Sequence, residues 1–362
     1  MDSNKFQIAY FPYLFLNRFH SIALLGVKVW NSTGLLNRIT DETLRHKVAT
    51  LVAQNRILGK PIKDIGIVDI GGGHDFRPLT PSEDKKMNEI RIVLFLAGMA
   101  ECNTREGPNA GHHMLTSDNF KIVYQNFKLD SPYTGYASGR IVRASDFGYK
   151  IAKITYEKPP YVLKNSFSCE EKFLNKLEQL RHKKRKTYRL ILRASNSVMN
   201  AYTNSEDVSS ESRILEFSRA FEILFELPEK EPRKKFKEAI EKYCEPLGER
   251  KKRYLSERPN QKKKPETKSR HVMWADRFYT LRNHIIHGGN ITDKRFLFYD
   301  QPHYQLALWF FLVAVKQIVN EVLGSKIFYD SVKCQSGTFV YDNGFWGEGK
   351  AKMLQTLIAK NP

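Results

Sequence analysis

Cysteine is scarce in this 362-residue chain: Cys102, Cys169, Cys244 and Cys334 stand far apart, with no C-x-x-C pair among them. That spacing argues against a disulfide scaffold and a cysteine zinc site, and a reducing, cytoplasmic setting is expected. Long apolar runs are lacking too. The strongest, residues 306–315 (LALWFFLVAV), is closed by Lys316 and covers about half the length a bilayer crossing needs. The opening stretch, MDSNKFQIAYFPYLFLNRFH, has no basic leader and no small-residue cleavage site. Neither a signal peptide nor a membrane partner is expected.

Acidic residues are the third shortage. The chain carries 39 Asp+Glu against 59 Lys+Arg, a net charge of +20. Residues 1–150 hold 19 basic and 14 acidic side chains, net +5, so the remaining +15 falls on residues 151–362. Such an excess suits a polyanion partner, of which nucleic acid is the commonest. A merely soluble, lysine-rich surface is the plainer alternative.

The composition is that of a folded protein of about two domains. Up to residue 160 the chain reads as mixed α and β, with short aromatic and β-branched runs at QIAYFPYLFL, IALLGVKVW and KIVYQNF. A hairpin is expected around Asp146-Phe147-Gly148. Helical patterns fall at 42–58 and 82–99, with Ser82 as N-cap of the second. Pro159-Pro160 marks a boundary, after which helical periods dominate at 169–185, 187–202, 212–227, 233–243, 272–287 and 303–323. The expected class is therefore α+β, a mixed domain over 1–160 followed by an all-α bundle over 161–325. A small extension with a β element and a short helix is expected over 326–362.

Two motifs in the first domain point nowhere specific. IVDIGGGHDF (67–76) is a strand and three glycines, more in keeping with a tight turn than with a phosphate loop. His112-His113 has no further ligand at metal spacing. Between 229 and 270, by contrast, 16 basic and 8 acidic residues are cut by Pro232, Pro246, Pro259 and Pro265. This is either a solvated connection or an arm that grips phosphates through Lys251, Lys252, Arg253, Lys262, Lys263 and Lys264.

The informative stretch is Tyr279-Thr-Leu-Arg-Asn-His-Ile-Ile-His-Gly-Gly289. Trp274, Phe278, Leu281, Ile285 and Ile286 form an apolar helical stripe, with Gly288 suited to close the helix. His287 then sits in the last turn, where the helix dipole favours imidazolium. Asn283, four residues earlier, shares its face and is placed to orient the ring. Arg282 lies about 140° around the helix from His287. One helix therefore does not close both groups on a single phosphate, whereas two copies facing each other would.

The pattern Tyr279-x-x-Arg282-Asn283-x-x-x-His287-Gly288 resembles the signature of the HEPN ribonucleases, most of all the ApeA-like branch of anti-phage defence proteins. The upstream helix SRILEFSRAFEILFEL resembles the first core helix of that family, and Glu222 best matches its acidic residue, with Glu216 in reserve. The likeness covers roughly residues 169–323 and departs from the usual spacing through the long basic insert. It implies a homodimeric, metal-independent endoribonuclease with a composite site and no cofactor. Arg282 would hold the scissile phosphate, His287 would move protons, Asn283 would hold the imidazole and Glu222 would fix Arg282. A toxin-like defence effector, restrained until a phage-derived trigger or released inhibitor acts, is the implied role. A non-catalytic nucleic-acid-binding module, a scaffold, or a histidine pair (His284 and His287) holding a metal are the alternatives.

Overall fold

The computed structural model describes residues 6–16, 21–62, 65–69, 76, 79–106, 115–131, 133–138, 149–150, 156–157, 167–203, 207–244, 252–254, 266–289, 291–298 and 301–324. The class is α+β, with strands concentrated in the N-terminal part and helices in the C-terminal part. The described residues fall into two compact units. One is drawn mainly from residues up to Leu174 and the other mainly from Asn175 onward, with the stretch from Ala100 to Glu106 grouped with the second. The Pro159-Pro160 boundary lies outside the described residues. So do the glycines after Asp69, the His112-His113 pair, Asp146-Phe147-Gly148 and the whole of 326–362.

The first unit is built on β1 (Phe6–Phe15), a strand buried on both faces, which explains its nearly unbroken apolar run. Around it lie β2 (Ser21–Leu24), β3 (Val27–Asn31), β4 (Asn55–Ile57), β5 (Lys60–Pro61) and β6 (Ile65–Asp69). After them come β7 (Val123–Phe127), β8 (Tyr133–Ser138), β9 (Tyr149–Lys150) and β10 (Tyr156–Glu157). The main sheet has seven strands in the order β2-β3-β6-β1-β7-β8-β9, and every pairing in it is antiparallel. The β1–β6 register holds from Ala9↔Val68 to Phe11↔Gly66 and then shifts before Phe15. Pro12 stands at the shift. Having no N–H to give, it is tolerated in a central strand only where the ladder is broken.

Two sequence expectations are corrected here. The run IALLGVKVW is a hairpin rather than one strand, because Leu25 and Gly26 take φ of 54° and 68°, the left-handed pair that matches strand twist in a two-residue turn. The helix expected over 42–58 stops early. The chain forms α1 (Ser32–Leu36) and α2 (Glu42–Ala53), and Asn55–Ile57 then leaves as β4, pairing with β10 and β5. Its backbone finds sheet partners, and that pairing overrides the helical pattern. Together α1 and α2 cover one face of the sheet through Leu35, Val48, Leu51 and Val52, against Tyr10, Trp30 and Ile67.

Helix α3 (Pro81–Glu106) opens on a reciprocal cap. Thr80 Oγ1 accepts from the Glu83 backbone N–H at 3.3 Å, while Glu83 Oε2 accepts from the Thr80 N–H at 2.8 Å. The N-cap is thus Thr80 and not Ser82, since Pro81 suits the first helical position, where no N–H is needed. Further along α3, Gly98 is required by packing: a Cβ there would fall 2.8 Å from the Phe167 ring. Phe167 in turn meets Phe120 edge-on.

The second unit is helical. It contains the end of α4 (Glu171–Lys183), then α5 (Arg185–Ala201), α6 (Ser210–Leu224), α7 (Pro232–Cys244), α8 (Arg270–Ile286) and α9 (His303–Leu323). Two small antiparallel ladders interrupt the helices, β11 (Lys252–Tyr254) with β12 (Glu266–Lys268), and β13 (Leu297–Phe298) with β14 (Gln301–Pro302). Helices α5 and α6 run antiparallel, since Arg213 at the start of α6 donates to the Ala201 carbonyl and Lys186 at the start of α5 pairs with Glu226 beyond the end of α6. Phe221 lies at the centre of an aromatic core, with Phe236, Trp274, Phe278 and Phe311 at ring separations of 5.2 to 6.1 Å. Phe236 brings α7 into that core, so the first third of the basic insert is a packed helix rather than a connection. Among the described residues, α9 is long and apolar enough to cross a membrane, and 72% of its most apolar window is buried inside the protein.

Candidate active site

Helix α8 presents the motif, and its end is shaped by two glycines. His287 is the C-cap residue, with φ −90° and ψ 9°. The Gly288 N–H donates to the Ile285 carbonyl (3.3 Å) and the Gly289 N–H to the His284 carbonyl (2.9 Å). Those two bonds, with Gly288 at φ 68°, make the Schellman closure that needs a residue without a Cβ. Gly289 also passes tightly by His284: a Cβ there would come 3.0 Å from its Nδ1. The chain therefore turns sharply away after His287 and leaves that imidazole exposed.

One turn back, Arg282 is held from several sides. Its Nη2 donates to Glu222 Oε1 at 2.9 Å and its Nη1 to Asn283 Oδ1 at 3.1 Å. The guanidinium carbon lies 5.3 Å from the centre of the Tyr279 ring, within cation–π range. The same Glu222 oxygen accepts from Ser218 Oγ at 3.3 Å, one turn earlier on α6. Side-chain exposures of 24% for Arg282 and 32% for Glu222 leave the pair open enough for an anion to reach the guanidinium.

Tyr279 completes the cluster from below. Its hydroxyl is buried without a well-formed hydrogen bond. Burial pushes its pKa up, with the Arg282 charge opposing and the nearby Glu222 carboxylate adding to the rise. The hydroxyl therefore stays protonated, as a donor aimed near the carboxylate that holds Arg282.

The structure thus brings Arg282, Asn283 and Glu222 together and leaves His287 at the open end of the same helix. Glu216, the reserve acid, instead lies near Arg219 on its own helix at 4.0 Å. Asn283 is engaged with Arg282 in this structure. Its side-chain oxygen serves Arg282, and its link to His287 is through the backbone, the His287 N–H donating to the Asn283 carbonyl at 3.0 Å. Lys252 and Arg253 lie on β11, while Lys251, Lys262, Lys263 and Lys264 fall outside the described residues. Among the described residues, no three His, Cys, Asp or Glu side chains gather as a metal site requires.

Sequence reasoning missed Ser218, whose i,i+4 relation to Glu222 was the available signal. It also missed the clamp that fixes α8. Asp276 is buried beneath Arg233 (2.9 Å) and Lys237 (3.2 Å), both from α7. Burial alone would raise the Asp276 pKa, but hydrogen bonds and charges from Arg233 and Lys237 outweigh it and hold the carboxyl below its ordinary value. No family model, curated protein or solved structure matches the chain.

Proposed function

We propose that the chain is a metal-independent endoribonuclease of the HEPN type. The observation that carries this reading is the Arg282–Glu222 contact, which fixes a guanidinium near the end of the helix that also exposes His287. Two N–H groups of Arg282 are engaged, and its remaining donors are available for the planar, two-point grip on phosphate oxygens that arginine provides. An imidazole both takes and gives protons, as general acid–base chemistry requires.

In the proposed reaction the ribose 2′-hydroxyl attacks the adjacent phosphorus as its proton passes to a base. The bond from phosphorus to the 5′-oxygen breaks, and that oxygen takes a proton on leaving. The products are a 2′,3′-cyclic phosphate and a 5′-hydroxyl. Arg282 stabilises the added charge at phosphorus, and His287 carries protons. Because the two residues project in different directions from one helix, a second copy of the chain supplies the complementary pair, so the working form is a homodimer. Such an activity needs restraint in a cell. Its setting is a cytoplasmic defence or toxin effector that a phage-derived trigger releases, with the N-terminal unit as the receiving part.

The test is product chemistry. Wild-type protein incubated with end-labelled RNA in EDTA should yield fragments ending in 2′,3′-cyclic phosphate. Equimolar mixing of Arg282→Ala and His287→Ala chains should restore part of the activity that each lacks. Fragments with 3′-hydroxyl ends, or cleavage that chelation abolishes, would overturn the mechanism.

A further inference from the structure

The insert at 229–270 is not the only basic stretch in the C-terminal part of the sequence. From Gln179 to Ser205 the sequence contains no Asp or Glu, yet it carries Arg181, Lys183, Lys184, Arg185, Lys186, Arg189 and Arg193. Arg181 is paired with Glu178 at 2.7 Å and Lys186 with Glu226 at 3.0 Å. Among the described residues, Lys183, Lys184, Arg185, Arg189 and Arg193 make no ion pair, and all five are exposed. Arg185, Arg189 and Arg193 follow one another at four-residue steps on α5, which sets them in a stripe with a rise of about 6 Å per step. The opposite face of α5 is buried through Tyr188, Ile191, Ala194 and Val198, so the stripe points to solvent.

Its position is fixed by contacts already described. The start of α5 is joined to the end of α6 by Lys186–Glu226, and Glu226 lies just past that end, four residues after Glu222, the residue that holds Arg282. The cationic start of α5 and the Arg282 end of α8 therefore share one end of the helical unit. We infer that Lys183, Lys184, Arg185, Arg189 and Arg193 form a track for a single RNA strand, gripping its phosphates and leading it toward Arg282. The inference rests on the nuclease reading for the track's destination, though not for its existence.

RNA fits this surface better than a membrane does. Arginines outnumber lysines, and their forked donors match phosphate geometry without reading sequence. A membrane-lying helix needs an exposed apolar face. The exposed large apolar side chains among the described residues are Leu58, Ile286 and Leu297, none of them on α4 or α5.

The test uses the full chain and a fluorescein-labelled 2′-O-methyl oligouridylate, which has no 2′-hydroxyl and measures binding alone. In wild type, affinity should fall steeply with salt. In the triple variant Arg185→Gln/Arg189→Gln/Arg193→Gln, binding at physiological salt should weaken by at least about tenfold, and the slope of log K against log salt should shrink by about 2, at about 0.7 per lost single-strand phosphate contact. A second arm needs no variant: the oligonucleotide should shield Lys183 and Lys184 of wild type from an amine-acylating reagent and leave Lys60 reactive.

An unchanged slope with affinity within about twofold, or Lys183 and Lys184 as reactive with the oligonucleotide as without, would overturn the inference. So would arginine-dependent binding to phosphatidylserine vesicles with no binding to the oligonucleotide. Failure of the nuclease reading looks different: the oligonucleotide binds through the track while natural RNA stays uncut.

Discussion

Arg282 Nη2 lies 2.9 Å from Glu222 Oε1, a contact between side chains 60 residues apart in sequence. It ties α8 to α6 at the end of the helical unit where His287 stands open. The pair is only partly buried, so its worth in stability is small, about 1 kcal/mol or less. In the proposed reaction its worth lies in position, because a guanidinium free to swing would no longer wait where the phosphorane is to form.

Glu222→Ala should therefore act on turnover more than on folding or substrate binding. The expected loss in kcat is on the order of 100-fold, with KM changed only a few-fold and a thermal midpoint close to wild type. Glu222→Gln, which keeps an acceptor for Arg282 and Ser218, should retain more activity than the alanine variant. Steady-state kinetics on one RNA substrate beside a thermal melt separates this positioning role from a structural one. Equal loss of folding and activity would reject it.

The Asp276 clamp should behave in the opposite way. Asp276→Ala leaves Arg233 and Lys237 facing each other over a buried gap, and the expected loss of stability is about 2–4 kcal/mol. Replacing Arg233 alone should cost less, because Lys237 still answers the carboxylate at 3.2 Å. Urea unfolding, followed by far-UV circular dichroism, measures both.

Acid should loosen the helical unit by way of two buried histidines. Burial pushes the pKa of His271 down to about 4 and that of His303 down to about 3, with the Arg277 charge adding to the second. Both rings have an Nδ1 without a hydrogen-bond partner, so neither has an anion to welcome a proton. A base whose folded pKa is depressed stabilises the fold fully above its unfolded value, near 6.5, and loses that contribution as pH falls toward the folded value. Asp276, also depressed, adds its own loss below its ordinary range. Thermal midpoints should hold above about pH 7, then drop progressively to pH 4. His303→Gln should flatten the upper part of that fall, and an unchanged profile in that variant would exclude His303 as a source.

Much of the site was legible because its chemistry is local. Arg282, Asn283, His287 and Gly288 sit within seven residues, and helix spacing with glycine closure sufficed to place them. Glu222 came through resemblance, as nothing in local spacing joins it to Arg282. The bond that Arg282 gives to the Asn283 side-chain oxygen was not legible, because i,i+4 spacing points to His287 and says nothing of the adjacent guanidinium. Among the described residues, the long helices α4 to α9 were evident from apolar period, whereas strand limits in the first unit were not. A helix-like stretch at 55–57 became β4 because partners distant in sequence offered it hydrogen bonds, and Leu25 turned the chain in a left-handed conformation that its side chain alone would not suggest. The arginine stripe on α5 was visible in the sequence but was overshadowed by the denser run after residue 249.

Single-turnover cleavage of a labelled RNA in EDTA, by wild type, Arg282→Ala and His287→Ala chains of confirmed fold, bears most directly on the central claim. Wild type should cut, and each variant should slow by about 100-fold or more with RNA binding retained. Cleavage at the wild-type rate by either variant, or none by wild type until a divalent metal is added, would contradict the account.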